Sequence, residues 1–253
     1  MSRIVITGAS SGLGQEIKFA LQGDNAQTTH EVLDFSYPVY DVRSPIDCEA
    51  FLDHHCPPGE KRKRSIDVLI NCAGVSPLSF IENAKDEDWN AIMDTNCKGI
   101  FNMTRAAIPY LSARGPDGRK YRPFDKSEGG TIINIGSTAA WTPMTCTHIY
   151  NASKAAVHMM TRQMARELKP RHGIDVFAIA PNVLEGTGIS NSVKSQVPGL
   201  RGWTEEEAEA KQASMIPNGV PTPPKAVAEF IAFLLQNKER HKYLTGCIIP
   251  YGA

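Results

Sequence analysis

The sequence has no Cys-x-x-Cys pair. Its six cysteines, at positions 48, 56, 72, 97, 146 and 247, follow no spacing that suits a disulfide framework or a zinc site. Reduced thiols are therefore expected. Charge of one sign is also missing: 27 Lys and Arg balance 27 Asp and Glu, so no overall field draws the chain to nucleic acid or to an anionic membrane. The run Lys61-Arg62-Lys63-Arg64 is the local exception, and because it follows Pro57-Pro58-Gly59 it reads as a solvated loop rather than a nuclear signal or polyanion patch. No stretch approaches the ~18 apolar residues of a membrane span. The opening MSRIVITGAS carries no charged-then-apolar leader, so a soluble cytoplasmic protein is expected. Adjacent histidines in His54-His55-Cys56 point apart on a helix and lack a suitably spaced further ligand, so no metal is expected. There are no internal repeats and no low-complexity tract.

What is present is the composition of a globular protein, with 42% apolar and 21% charged residues in 253, a length that one α/β domain with one core can fill. Apolar runs at 4–7, 32–33, 68–70, 131–135, 176–179 and 247–249 read as strands. Helical spacing of apolar residues marks 13–21, 86–111, 150–168 and 224–235. This alternation predicts a three-layer α/β fold, a Rossmann-like doubly wound parallel sheet with helices on both faces. A parallel crossover needs about a dozen residues, yet six separate Asp34 from Asp41. The helix between the second strand and the next is thus expected to be shortened or absent, and the edge strand near Asp41 rudimentary or missing. The segment 114–130 reads as a surface excursion. Residues 187–217, with Pro198-Gly199, Trp203 and the acidic turn Glu205-Glu206-Glu207, follow a strand end and are read as a substrate lid, against an ordinary helical insertion.

Directly after the first strand comes Thr7-Gly8-Ala9-Ser10-Ser11-Gly12-Leu13-Gly14, opening into a helix. Glycines there allow a tight turn and close approach of backbone N–H groups to a pyrophosphate, and the helix N-terminus favours negative charge. A dinucleotide is the natural ligand. Alone, such a turn can equally be structural.

A second constellation carries chemistry. In Tyr150-Asn151-Ala152-Ser153-Lys154 the phenol and the amine stand four residues apart, on one helical face. An ammonium near a phenol favours its ionised form, which suits proton transfer. Ser137, in Ile-Gly-Ser at the end of the strand 131–135, precedes the tyrosine by 13 positions. A hydroxyl at that strand end can donate to a substrate carbonyl and stabilise a developing alkoxide.

Thr-Gly-x-x-x-Gly-x-Gly followed by Ser137 and Tyr-x-x-x-Lys resembles the short-chain dehydrogenase/reductase family, and the resemblance spans nearly the whole chain. It implies a single NAD(P)-binding domain in which Tyr150 is the acid/base, Lys154 tunes it and holds the nicotinamide ribose, and Ser137 orients the substrate oxygen. Asn96, in an Asn-x-x-Gly context inside the long helix, is implied as the fourth catalytic member, bending the helix and holding a water behind Lys154. For the cofactor it implies Gly8, Ser10, Ser11, Gly12, Leu13 and Gly14 at the pyrophosphate, and Asp41-Val42 at the adenine. Asn71, Ala73 and Gly74 belong to a segment similar to the family's Asn-Asn-Ala-Gly, with Cys72 in second place. Pro181, Asn182 and Val183 lie at the nicotinamide, where Asn182 replaces the family's glycine. Thr187 lies six positions beyond Pro181, one more than usual, so the carboxamide contact falls to Thr187 through a bulge, to Gly186 backbone, or to neither. Asn182 is expected to tolerate unusual backbone angles there.

Asp34, 20 residues after Gly14 and with no basic residue before Arg43, is read as the acceptor for the adenine ribose hydroxyls, which favours NAD over NADP. The expected activity is NAD-dependent hydride transfer between nicotinamide and a small or medium alcohol or ketone. The alternatives are an NADP-dependent carbonyl or 3-oxoacyl reductase and a non-catalytic dinucleotide-sensing or scaffolding protein. A homo-oligomer, dimer or tetramer, is implied by the resemblance, through the two long helices. His148 is read as a loop-wall residue. Trp141, Met144 and Trp203 are left between pocket lining and core or lid packing.

Overall fold

The computed structural model describes residues 2–23, 30–56, 65–112, 129–237 and 241–252. The basic run 61–64 and nearly all of the excursion 114–130 lie outside them.

Strands β1 (Arg3–Thr7), β2 (Glu31–Phe35), β3 (Val68–Asn71), β4 (Thr131–Ile135), β5 (Asp175–Pro181) and β6 (Ile248–Tyr251) form one parallel sheet in the order β2-β1-β3-β4-β5-β6. The central strands are apolar on both faces because helices cover both. Alternate residues divide between the two layers: Val5, Leu69, Ile132 and Val176 face one core, and Ile4, Ile6, Val68, Ile70, Ile133, Phe177 and Ile179 face the other.

On the second face lie α1 (Gly12–Gln22) and α8 (Pro224–Gln236). Leu13, Ile17 and Leu21 recur every fourth residue along α1 and meet Val227, Ala228, Ile231 and Leu235. Each large side chain so buried contributes about 1.5–3 kcal/mol. The first face holds α2 (Pro45–His55), α4 (Gly99–Leu111) and α5 (His148–His172). Between α3 (Asp86–Met93) and α4, residues Asp94–Lys98 make a π-helical turn, so the predicted long helix 86–111 is two helices joined by a bulge. Two further helices, α6 (Gly188–Arg201) and α7 (Glu205–Ser214), occupy most of the segment 187–217. Among the described helices none is long and apolar enough to cross a membrane.

Between Phe35 and Asp41 there is no helix, and no strand follows at Asp41. The expected shortening therefore holds: β2 is the sheet edge, and a turn leads straight to Asp41-Val42. Counted by observed strands, β2 and β3 are still joined by a helix, α2, which the apolar spacing of the sequence did not single out. Its start is marked by Ser44, whose side chain accepts from Asp47 N, with Pro45 at the first helical position. In place of the missing strand, three rings pack together: Phe35 lies 5.3 Å from Tyr40 and 5.2 Å from Phe51, and Tyr40 lies 5.0 Å from Phe51.

Candidate active site

The strand order reverses between β1 and β3, and at their carboxyl ends the structure opens into a cavity of ≈ 1170 Å³. Its floor is the glycine turn. Gly8 has φ +73°, and a Cβ there would come within 2.9 Å of Ala73 Cα. At Gly14 a Cβ would stand 2.2 Å from the Gly8 carbonyl oxygen, so the helix start can approach the turn only as glycine. The Thr7 hydroxyl locks this corner to the next strand end by accepting from Cys72 N at 3.0 Å and Ala73 N at 3.1 Å. That role of Thr7 was not read from the sequence. The tight backbone corner on a helix N-terminus fits a dinucleotide pyrophosphate.

Gly8, Ser10, Ser11, Gly12, Leu13, Gly14, Asp41, Val42, Ala73, Gly74, Ser137, Tyr150, Lys154, Pro181, Asn182, Val183 and Thr187 all line this one cavity. Asp34, Asn71 and Asn96 do not. Asp34 sits behind the wall: its carboxylate takes Lys18 Nζ at 3.2 Å and the Ser36 hydroxyl, while Ser36 Oγ accepts from Ser10 N at 3.2 Å. Asp34, read as the ribose acceptor, thus stands at the carboxyl end of β2 and is linked through Ser36 to Ser10 on the cavity wall. Asn71 is buried beneath the site, donating to Asn134 Oδ1 at 2.9 Å and Thr104 Oγ1 at 3.3 Å, which ties β3 to β4 and α4.

Asn96 lies in the π-helical turn and is fully buried. Its amide pairs with both backbone groups of Val75, accepting from N at 2.9 Å and donating to O at 3.0 Å, and it donates to Ser153 Oγ at 3.0 Å. Ser153 in turn donates to the Tyr150 carbonyl at 2.7 Å. Asn96 thus braces the first turn of α5 and the loop after Gly74. Lys154, also buried, donates from Nζ to the Ile135 carbonyl at 2.8 Å, and its ammonium lies 5.7 Å from the centroid of the Tyr150 ring.

Ser137 caps a 3-10 turn, its Oγ accepting from Ala139 N at 3.1 Å. Behind it is His158, a residue not singled out in the sequence. His158 Nε2 lies 3.4 Å from Ser137 N, and a Cβ on Gly136 would come within 2.3 Å of the same nitrogen. Burial first, then the charges of Lys154 and Arg162, push the His158 imidazole down to about 4. Burial likewise pushes the Cys72 thiol up to about 12, so the cysteine in the cavity wall is a poor nucleophile.

The loop from Pro181 to Thr187 departs from expectation in its physical reason. Asn182 is not among the residues with positive φ; its side chain is what the loop uses, accepting from Thr138 Oγ1 at 3.1 Å and donating to Gly252 O at 3.1 Å. Thr187 caps α6, accepting from Ser190 N, and its Cβ would be 3.5 Å from a Cβ on Gly12. Met144 and Trp203 line the cavity, whereas the Trp141 ring lies tilted against His158 at 4.5 Å and His148 is not on the wall.

Among known proteins, the short chain dehydrogenase family matches over residues 2–198. The chain is 33% identical to a 3-oxoacyl-acyl-carrier-protein reductase of Thermotoga maritima over 184 residues, covering 73% of this chain and 63% of that one. It is 29% identical to a (3R)-3-hydroxyacyl-CoA dehydrogenase of Rattus norvegicus over 266 aligned positions, covering 97% and 92%. In fold it is similar to the crystal structure of a 3-ketoacyl-(acyl-carrier-protein) reductase from Brucella melitensis complexed with NADH, with TM-score 0.74, 24% identity and coverage of 98% and 96%.

Proposed function

The chain belongs to the short-chain dehydrogenase family of NAD(P)-binding oxidoreductases, and from that premise we propose that it interconverts a small or medium secondary alcohol and its ketone, with Tyr150 as acid/base. The observation that carries this is the convergence of Ser137, Tyr150 and Lys154 on the same cavity as the glycine turn. A bound nicotinamide supplies or accepts the hydride. Tyr150 gives or takes the hydroxyl proton at its phenolic oxygen. Lys154, adjacent on the same helical face, holds its ammonium 5.7 Å from the centroid of the phenol ring. Ser137 donates to the substrate oxygen and stabilises charge developing there. Asn96 holds the start of α5, and with it Tyr150, in place.

NAD is the preferred cofactor in this reading. Arg43 is the cation on the cavity wall beside Asp41, and it is turned onto that carboxylate, Nη2 to Oδ2 at 2.6 Å and Nε to Oδ2 at 2.9 Å. It is thereby neutralised towards a 2′-phosphate, and the Asp34 carboxylate lies behind Ser36 on the same edge. A second reading, NADP-dependent carbonyl or 3-oxoacyl reduction, requires Arg43 to leave Asp41. The chain is read as one dinucleotide-binding domain, with 187–217 as its substrate lid because α6 and α7 supply one wall of the cavity. Exposed Phe101 on α4 and Met159 on α5 support a dimer or tetramer formed through these helices; sedimentation that gives a monomer would exclude it.

The decisive variant is Tyr150→Phe. Turnover on a panel of secondary alcohols and ketones falls by about 10²–10⁴-fold while NAD binding, followed by calorimetry, persists. Near-full turnover in that variant would refute the assignment, and no turnover by the native chain on any panel member would favour the dinucleotide-sensing alternative.

A further inference from the structure

Beyond the reacting groups, the cavity extends between α6 and α7 and changes character. Its wall there is apolar, with Leu78, Val193, Val197 and Ala208 packed in a small cluster with Trp203. Against the Trp203 indole lie two cations that also line the cavity: Arg201, with its guanidinium carbon 4.9 Å from the ring centroid, and Lys211, with Nζ at 5.3 Å.

Of the other charges lining this end of the cavity, Lys194 serves two acids. Lys194 pairs with Glu209 at 2.6 Å and also feels Glu205, which sits in the first turn of α7 where the helix field favours an acid. Arg201 and Lys211 have no carboxylate partner among the described residues. Arg201 donates from Nη2 to the Thr145 carbonyl at 2.5 Å, on the loop that leads to Tyr150, while its Nε is buried with no hydrogen-bond partner. Two cations on a cavity wall without a carboxylate partner favour an anionic oxygen as ligand.

We infer that Arg201 and Lys211 form an anion subsite at the far end of the substrate cavity, so that the substrate is an acid whose carboxylate binds there. The carboxylate accepts from the Arg201 guanidinium and is neutralised further by Lys211. Its apolar spacer lies along Leu78, Val193 and Val197, and the carbon bearing the hydroxyl or ketone reaches Ser137 and Tyr150. This identification of the substrate class rests on the oxidoreductase reading, but the binding site itself does not depend on turnover.

The test is therefore a binding one. The protein is saturated with NAD, which blocks the pyrophosphate corner, and titrated by calorimetry with hexanoate, hexanamide and hexyl phosphate. Hexanoate is expected to bind about tenfold or more tightly than hexanamide, the scale of a charge-assisted hydrogen bond. Arg201→Gln and Lys211→Gln are each expected to bring that ratio towards one. Since Arg201 also supports the Thr145 loop, the Lys211 variant keeps the test valid if the other fails to fold. Equal binding of hexanoate and hexanamide by the native chain, a ratio unchanged in Lys211→Gln, or tighter binding of hexyl phosphate than of hexanoate would overturn the carboxylate subsite. Loss of turnover in Tyr150→Phe bears on the reaction alone and leaves this result standing.

Discussion

The backbone N–H of Ser137 points at Nε2 of His158 at 3.4 Å, so the residue proposed to meet the substrate is set from behind by an imidazole on α5. His158 lies one helical turn beyond Lys154, and a single helix therefore aligns Tyr150, Lys154 and the support of Ser137. For Nε2 to accept, the proton must sit on Nδ1, which requires the neutral ring. Replacement by leucine removes the acceptor and lets the strand end shift. A shift of that kind costs on the order of ten- to a hundredfold in kcat, with the Kd for NAD little changed. His158→Gln, which keeps an acceptor, should recover part of the loss. Equal kcat in the native and leucine proteins would reduce His158 to core packing.

The same imidazole makes stability depend on pH. Its folded value, about 4, lies below the ordinary 6.5, so the unfolded chain binds the proton more readily. The contribution is complete above about 6.5 and is lost as pH falls towards 4. Urea unfolding of the native chain and of His158→Leu across that window should show the native protein losing more stability on acidification than the variant. Parallel curves would contradict the burial of a neutral ring.

Gly14→Ala tests the dinucleotide corner. A Cβ 2.2 Å from the Gly8 carbonyl must push α1 away from the turn. Overpacking of this kind costs about 1–3 kcal/mol of stability, and NAD affinity should fall with it. Thermal unfolding and NAD titration read the two effects, and an alanine variant that binds NAD normally would show that the corner is not the pyrophosphate site.

Cofactor choice is expected to hinge on Asp41. The Arg43 guanidinium holds the Asp41 carboxyl below the usual carboxylate range, chiefly through their side-chain hydrogen bonds. In Asp41→Asn the guanidinium is released towards the cavity. Relative use of NADP over NAD, measured as a ratio of kcat/KM values, should rise by about tenfold, as one added charge-assisted hydrogen bond implies. An unchanged ratio would remove Arg43 from the account of specificity.

Much of this was legible in the sequence because it is written in local spacing. Gly8 to Gly14 and Tyr150 to Lys154 are short-range patterns, and the strands they adjoin are continuous apolar runs. The six residues between Asp34 and Asp41 foretold the missing helix by chain length alone. What escaped depends on contacts between distant segments. His158 reads as one more polar residue on a helix until Gly136 lets the strand end touch it. Arg201 reads as a surface charge until α6 folds against the Thr145 loop. The helix α2 was missed although Cys48, Phe51 and Leu52 are its buried face, since its outer positions are not uniformly polar.

Between β2 and α2, where no strand forms, Phe35, Tyr40 and Phe51 pack on one face of the sheet border, each ring against the other two. A backbone ladder would tolerate exchange of one side chain for another, because its hydrogen bonds do not depend on them. A triangle of rings does not: truncating any member takes a ring contact from each of the other two and leaves a void in the buried cluster around them. That border of the molecule is consequently more sensitive to a single substitution than a paired strand would be, and variation there should proceed by swapping one aromatic ring for another.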